Sequence, residues 1–192
     1  MASVVDICNS ALNQIGASNI IALTEDSKAA RVCNQRFEFV RDSVFRSHPW
    51  NCLIVRTALA PDATAPAFEF TKQFTLPTDP FCLRVLSLDD STILFRIEGR
   101  KLLCNESTIN MVYVGREKDP NQYDMLLLET ISAALAADIA YNLVGSAALA
   151  NNMYELYQRK LVEARYVDAT EDNAINTSVL QDSETLAADT FI

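Results

Sequence analysis

Residues 46–52 read RSHPWNC and hold the chain's only histidine, His48, and its only tryptophan, Trp50. An imidazole and a thiol are the parts of a nucleophilic pair, in which the ring takes the proton of the attacking sulfur. His48 and Cys52 stand four residues apart, a spacing that aligns two side chains on a helix. Pro49 lies between them and breaks any helix that would do so. No orienting acid and no oxyanion element can be located around them.

Other chemistries fare no better. Glu129 and Asp138 are noticeable as carboxylates because their surroundings are apolar. Paired carboxylates can cleave glycosides, but an acidic chain offers many such candidates. The simpler expectation for Asp138 is a polar pair with Arg41, Arg46 or a neighbouring subunit. The four glycines, Gly16, Gly99, Gly115 and Gly145, are dispersed, so no phosphate-cradling loop is expected. Five cysteines (8, 33, 52, 82 and 104) contain no CxxC pair, and a lone histidine cannot supply a histidine-rich zinc site. They are expected as reduced, small core residues. The sequence thus predicts no catalytic residue, no cofactor and no metal.

The 192 residues carry a net charge of −9. Such a chain repels phosphate, and no run of Lys or Arg marks a nucleic-acid patch. The N-terminus lacks a basic region followed by an apolar stretch, so no signal peptide is expected. The most apolar segment, MLLLETISAALAADIAYNLVG, contains Glu129 and Asp138, which a membrane span tolerates poorly. A soluble protein is expected.

The periodicity predicts α+β architecture. SVVDICNSALNQIG reads as a helix capped by Ser3 and stopped at Gly16, with Val4, Cys8, Ala11, Leu12 and Ile15 at helical spacing. A second helix starts near residues 24–27, carries Ala29, Cys33, Phe37, Val40 and Val44 on its apolar stripe, and ends before Pro49. From residue 51 to about residue 114 the pattern gives five or six strands. In FEFTKQFTL, Phe68, Phe70 and Lys72 are expected on one face; TILFRIEGRKLLC is expected as a hairpin turning at Glu98, Gly99 and Arg100. A third helix carries Leu128, Ile131, Leu135, Ile139 and Leu143 in one stripe and is apolar on most sides, which suggests cover from other subunits. The fourth runs over residues 147–167, with Leu149, Met153, Leu156, Leu161 and Ala164 on one face and a Glu155–Arg159 surface pair. From Asp168 onward stand six acidic residues and no Lys or Arg.

The predicted organisation is a four-helix bundle from residues 1–49 and 117–168, an inserted, mainly antiparallel β lobe over residues 50–116, and an extended C-terminal arm over residues 169–192. Arg46 suits the last turn of the second helix, where a cation faces the helix dipole. Pro49 and Trp50 are the expected structural corner between bundle and lobe.

Several stretches, taken in order, resemble the tail tubular protein A family of podoviruses, the head-to-tail adaptors. VVDICNSALNQIGASNIIAL is similar to that family's opening helix and connector, and HPWNCLIVR to its Pro–Trp corner and first strand closing on an arginine, here Arg56. LPTDPFCLRVLSL resembles its Leu-Pro-x-Asp…Leu-Arg-Val strand, though PTDPFC carries an additional Pro–Phe, so the loop there is expected to differ. IEGRKLL resembles its Glu-Gly-Arg hairpin, and LLETISAALAADIAYNLVGSAALANNMYELYQRKLVEAR its long helical pair. The resemblance spans about residues 3 to 168.

It implies a structural virion protein of the phage tail or neck, made in the bacterial host cytoplasm. Copies would form a dodecameric ring between the portal protein and the nozzle or tail tube, with DNA passing through the lumen without specific binding and no membrane involved. Residues Leu128, Ile131, Leu135 and Asp138 are then the expected subunit-packing set. Leu180, Leu186, Phe191 and Ile192 of the arm are the expected portal-binding set. The alternative function is a tail-associated glycan-degrading enzyme, since lytic activity has been proposed for some relatives.

Overall fold

The computed structural model describes residues 2–171, and the protein is a mixed α/β fold with four helices and two small antiparallel sheets. Helix α1 (Val4–Gln14) opens with a reciprocal capping box. The Ser3 hydroxyl accepts from the Asp6 amide at 3.1 Å, and the Asp6 carboxylate accepts from the Ser3 amide at 2.9 Å. These bonds satisfy amides that no preceding turn can reach. Gly16, at φ +69°, turns the chain out of the helix in the left-handed region that favours glycine. Asn9 then holds the connector by both its side-chain atoms: its Oδ1 accepts from the Ile20 amide at 2.8 Å and its Nδ2 donates to the Ile20 carbonyl at 2.9 Å. This buries Ile20 and leaves Ile21 exposed.

Helix α2 (Lys28–Ser47) is capped by Ser27, whose hydroxyl accepts from the Ala30 amide. Its buried face is Ala30, Cys33, Phe37, Val40, Val44 and Phe45, with Ala29 only half-buried. Arg41 is buried on the same face, an apolar stripe's exception. Its guanidinium lies 5.7 and 5.9 Å from the Phe37 and Phe45 ring centres and 2.9 Å from Asp42, which in turn pairs with Arg116 at 2.5 Å. A buried cation persists where it is paired and stacked.

Strands β1 (Ile54–Leu59), β6 (Ile109–Gly115) and β3 (Cys82–Leu88) form one sheet with β6 in the centre; β2 (Lys72–Thr75), β5 (Lys101–Cys104) and β4 (Arg96–Glu98) form the other with β5 in the centre. Alternation along β6 places Ile109, Met111 and Tyr113 against Phe74, Leu102 and Cys104 of the second sheet, while Val114 joins the helical core. Leu53, Leu83 and Leu86 join that core as well. The first sheet therefore contributes side chains to both cores, the helical one and the one it shares with the second sheet.

Two expectations about the strands change. Asn51–Leu53 form a 3-10 turn before β1. The alternating run FEFTKQFTL yields only the four residues of β2: Phe68 is 81% exposed and Glu69 sits at φ +70°. A two-residue period needs a partner strand to become a strand, and β5 is only four residues long, pairing from Lys72 to Thr75.

Helix α3 (Met125–Val144) packs against α1, α2 and α4 (Ala147–Glu171). Asp124 caps it, and Gly145 at φ +75° ends it. By length and composition α3 is apolar enough to cross a membrane, but 56% of its most apolar window is buried inside the chain. Both its carboxylates are ion-paired to neighbouring helices, Glu129 to Lys160 and Asp138 to Arg36. Helix α4 continues to Glu171, so residues 169–171, expected in the arm, are helical.

Candidate functional site

The His48 corner is built by the end of α2 and the end of α4. α2 stops at Ser47 because Pro49 forces the residue before it into extended geometry, and His48 sits at φ −147°, ψ 151°. Trp50 is 1% exposed, and its indole N–H donates to the Val44 carbonyl at 3.0 Å, one of the carbonyls a helix end leaves open. The His48 ring meets the Trp50 ring edge-on, 4.8 Å between centres. Pro49 and Trp50 thus occupy a structural corner where α2 enters the first sheet.

Asp168 has a role that the sequence analysis did not identify. Its Oδ2 lies 3.0 Å from His48 Nε2, its Oδ1 accepts from the Asn51 amide at 3.0 Å, and its own carbonyl accepts from the Asn51 side chain at 2.8 Å. Three residues earlier, Arg165 donates to the Ser47 carbonyl at 3.0 Å. Asp168 is buried. The signal that could have revealed it is its position: Leu161, Ala164 and Asp168 follow helical spacing on the buried face of α4.

The His48–Asp168 pair has the form of a base held by an acid, the arrangement that activates a nucleophile. Cys52 is not joined to it by any hydrogen bond among the described residues. The thiol is pushed up in pKa, first by desolvation and then by the Asp168 and Asp124 carboxylates, which works against a thiolate. What this arrangement does is fasten: three hydrogen bonds and an imidazole–carboxylate contact tie the last turns of α4 to the end of α2 and the 3-10 turn before β1.

A second fastening lies on the β4–β5 hairpin. Gly99 takes φ +59° in the turn, and Arg100 reaches back to the segment joining β2 to β3. Its guanidinium donates to the Cys82 carbonyl at 2.6 Å and to the Pro77 and Leu76 carbonyls at 2.6 and 3.3 Å. Two guanidinium groups approach the Phe81 ring, Arg100 at 3.9 Å and Arg116 at 4.4 Å from its centre. The Pro–Phe of PTDPFC thus gives this loop a clamped aromatic ring.

Of the expected subunit-packing residues, Ile131 and Leu135 are 0% exposed within their own chain and have no surface to offer a second copy. Leu128 is half-buried against the same core. Asp138 is held by Arg36 through two bonds, Nε to Oδ2 at 2.7 Å and Nη2 to Oδ1 at 2.8 Å. Its partner within the chain is Arg36, not Arg41 or Arg46. Arg36 and Asp138 meet where α2 crosses α3, and the carboxylate raises the Arg36 pKa further. Glu155 and Arg159 form no ion pair among the described residues, whereas the neighbouring Lys160 of α4 pairs with Glu129 of α3. The surface left open is different: Phe39 on α2, Tyr141 and Val144 on α3, and Tyr154, Val162 and Tyr166 on α4 are all exposed. Leu180, Leu186, Phe191 and Ile192 lie outside the described residues.

No family model matches the chain, and no curated protein matches it.

Proposed function

We propose that the protein is a head-to-tail adaptor of a tailed phage, of the kind that tail tubular protein A represents. In this reading each copy is one segment of a ring between portal and nozzle, twelvefold by the resemblance. The helices form its bundle, the two sheets its inserted β lobe, and residues 172–192 its portal-seeking arm. DNA passes through the lumen, and an acidic wall suits a channel that must not grip it.

The observation that carries the reading is the exposure of large apolar side chains on three helices, Phe39, Tyr141, Tyr154, Val162 and Tyr166 among them, although the described residues already close a core. Where exposed apolar side chains gather into one surface, subunit contact is the ordinary reason for it. Lateral packing is assigned to these outer residues, Phe39, Tyr141, Tyr154 and Tyr166 among them, and not to the buried stripe of α3.

Light scattering and negative-stain microscopy of the purified protein, alone and with its portal, test the proposal. A ring, formed by itself or on the portal, is the expected result. Replacing Tyr154 and Tyr166 with serine should abolish the ring and leave the circular dichroism unchanged. A monomer that ignores the portal would refute the reading, and glycan release by that monomer would establish the enzymatic alternative.

A further inference from the structure

A groove of about 780 Å³ runs between α2 and the strands, lined by Phe39, Arg46, Phe81, Arg84, Ile97 and Arg100 among others. Arg46 and Arg84 are both exposed in it, and among the described residues neither is ion-paired with a carboxylate. Their recorded bonds go to backbone carbonyls, Arg46 to Leu83 and Arg84 to Arg46 itself at 3.5 Å. Each guanidinium has five N–H donors, so most of their capacity is uncommitted. Asp42, the acidic residue lining this groove, is already held by Arg41 and Arg116. Phe39 at 70% and Ile97 at 42% exposure add apolar rims. In a chain of net charge −9 this is a cationic groove with greasy edges, suited to an extended acidic segment that carries apolar side chains.

The chain contains one such segment in its sequence. Residues 172–192 carry Asp172, Asp182, Glu184 and Asp189, no Lys or Arg, and the apolar Leu180, Leu186, Phe191 and Ile192. The segment begins where α4 ends, three residues past Asp168, which is bonded to Asn51. Arg165 holds the carbonyl of Ser47, the residue beside Arg46. Residues 172–182, extended, span about 35 Å at roughly 3.3 Å each, against a radius of gyration on the order of 16 Å for a domain of this size. Reach is therefore no obstacle within one copy.

We propose that residues 172–192 dock in cis across this groove, with Asp182 and Glu184 on Arg46 and Arg84 and their leucine neighbours against Phe39 and Ile97. The site then holds the acidic segment of the free protein and can release it to a partner. Because the pairs are exposed, the docking is reversible and salt-sensitive.

Amide hydrogen exchange of the full-length protein, read by mass spectrometry on peptides covering residues 172–192, tests this. At low salt the segment should exchange at least about tenfold slower than a free synthetic peptide of the same sequence, and the difference should vanish near 0.5 M salt, where the Debye length is only about 4 Å. The Arg46→Ala/Arg84→Ala variant should lose the protection. So should Asp182→Asn/Glu184→Gln, which leaves the folded residues untouched. Exchange equal to the free peptide in the wild type overturns the proposal. Protection that survives in both variants overturns it too, as does protection lost on dilution, which would place the segment on a second copy. No portal enters the experiment, so its failure leaves the adaptor reading standing, and the failure of ring formation leaves this proposal standing.

Discussion

Replacing Asp168 with alanine should open the corner that joins α4 to the sheet. The carboxylate accepts from the Asn51 amide and contacts the His48 ring, both at 3.0 Å, in surroundings that bury it. Truncation leaves the Asn51 N–H without its acceptor and removes a bond to a charged group, for a combined cost of about 2–3 kcal/mol. The bond from the Asn51 side chain to the residue 168 carbonyl survives, since it uses the backbone. For a chain of this size the loss corresponds to a fall in melting temperature of about 4–12 °C. Asp168→Asn keeps an oxygen for the Asn51 amide and offers an N–H to the imidazole, and should cost under about 1 kcal/mol. Urea denaturation at neutral pH measures both variants. Trp50, the chain's single tryptophan, stacks edge-on against His48, so its emission reports this corner alone. The alanine variant should shift that emission to the red before global unfolding. An alanine variant within about 0.5 kcal/mol of wild type, the range of ordinary surface changes, would refute the fastening role. Equal losses for alanine and asparagine would show that hydrogen bonding at this position is not what matters.

Three further outcomes follow from the same geometry. Gly115→Ala should destabilise by about 1–3 kcal/mol, because the new methyl would meet Val55 Cγ2 at 2.8 Å and Pro80 Cβ at 3.3 Å; an unchanged urea midpoint would mean the β1–β6 pair yields freely. Arg100→Lys should lose the three-carbonyl fork and the guanidinium contact with the Phe81 ring while keeping the charge, lowering stability by about 1–3 kcal/mol, with proteolysis focused on residues 76–82. Hydrogen bonding to Ser3 holds the Asp6 pKa below its ordinary value, and Lys101 does the same for Asp62. A depressed native pKa means that the stabilisation is present above the unfolded value and disappears as pH falls through the native one, so melting temperature should stay level from about pH 7 to 5 and drop below about pH 4. Asp62→Asn should soften that drop, and an identical acid limb would remove Asp62 from the account.

Local chemistry was readable from local sequence. Ser3, Gly16, Pro49 and Gly99 each dictate a cap, a stop or a turn through their own sterics or a bond three residues away, and all appear where expected. Periodicity located four helices and the strand region for the same reason: burying one face of a regular element imposes its repeat on the sequence. Partners were not readable, because a charge pair across helices leaves no periodic mark. Asp138 therefore met Arg36 instead of Arg41, and Arg41 went into the core between two phenylalanines. The same limit explains Asp168. Read along the chain it opens an acidic run, and only the tertiary placement of the last turns of α4 at the end of α2 brings it to His48 and Asn51. The apolarity of α3 was correctly seen, but composition cannot say whether a stripe is covered by its own chain or by another. Here α1, α2 and α4 supply the cover. The sequence by itself determined where the chain turns and which elements it forms, because those are contests between near neighbours. The tertiary structure decided which charges are paired and which apolar faces stay open, because burial depends on what folds against each surface.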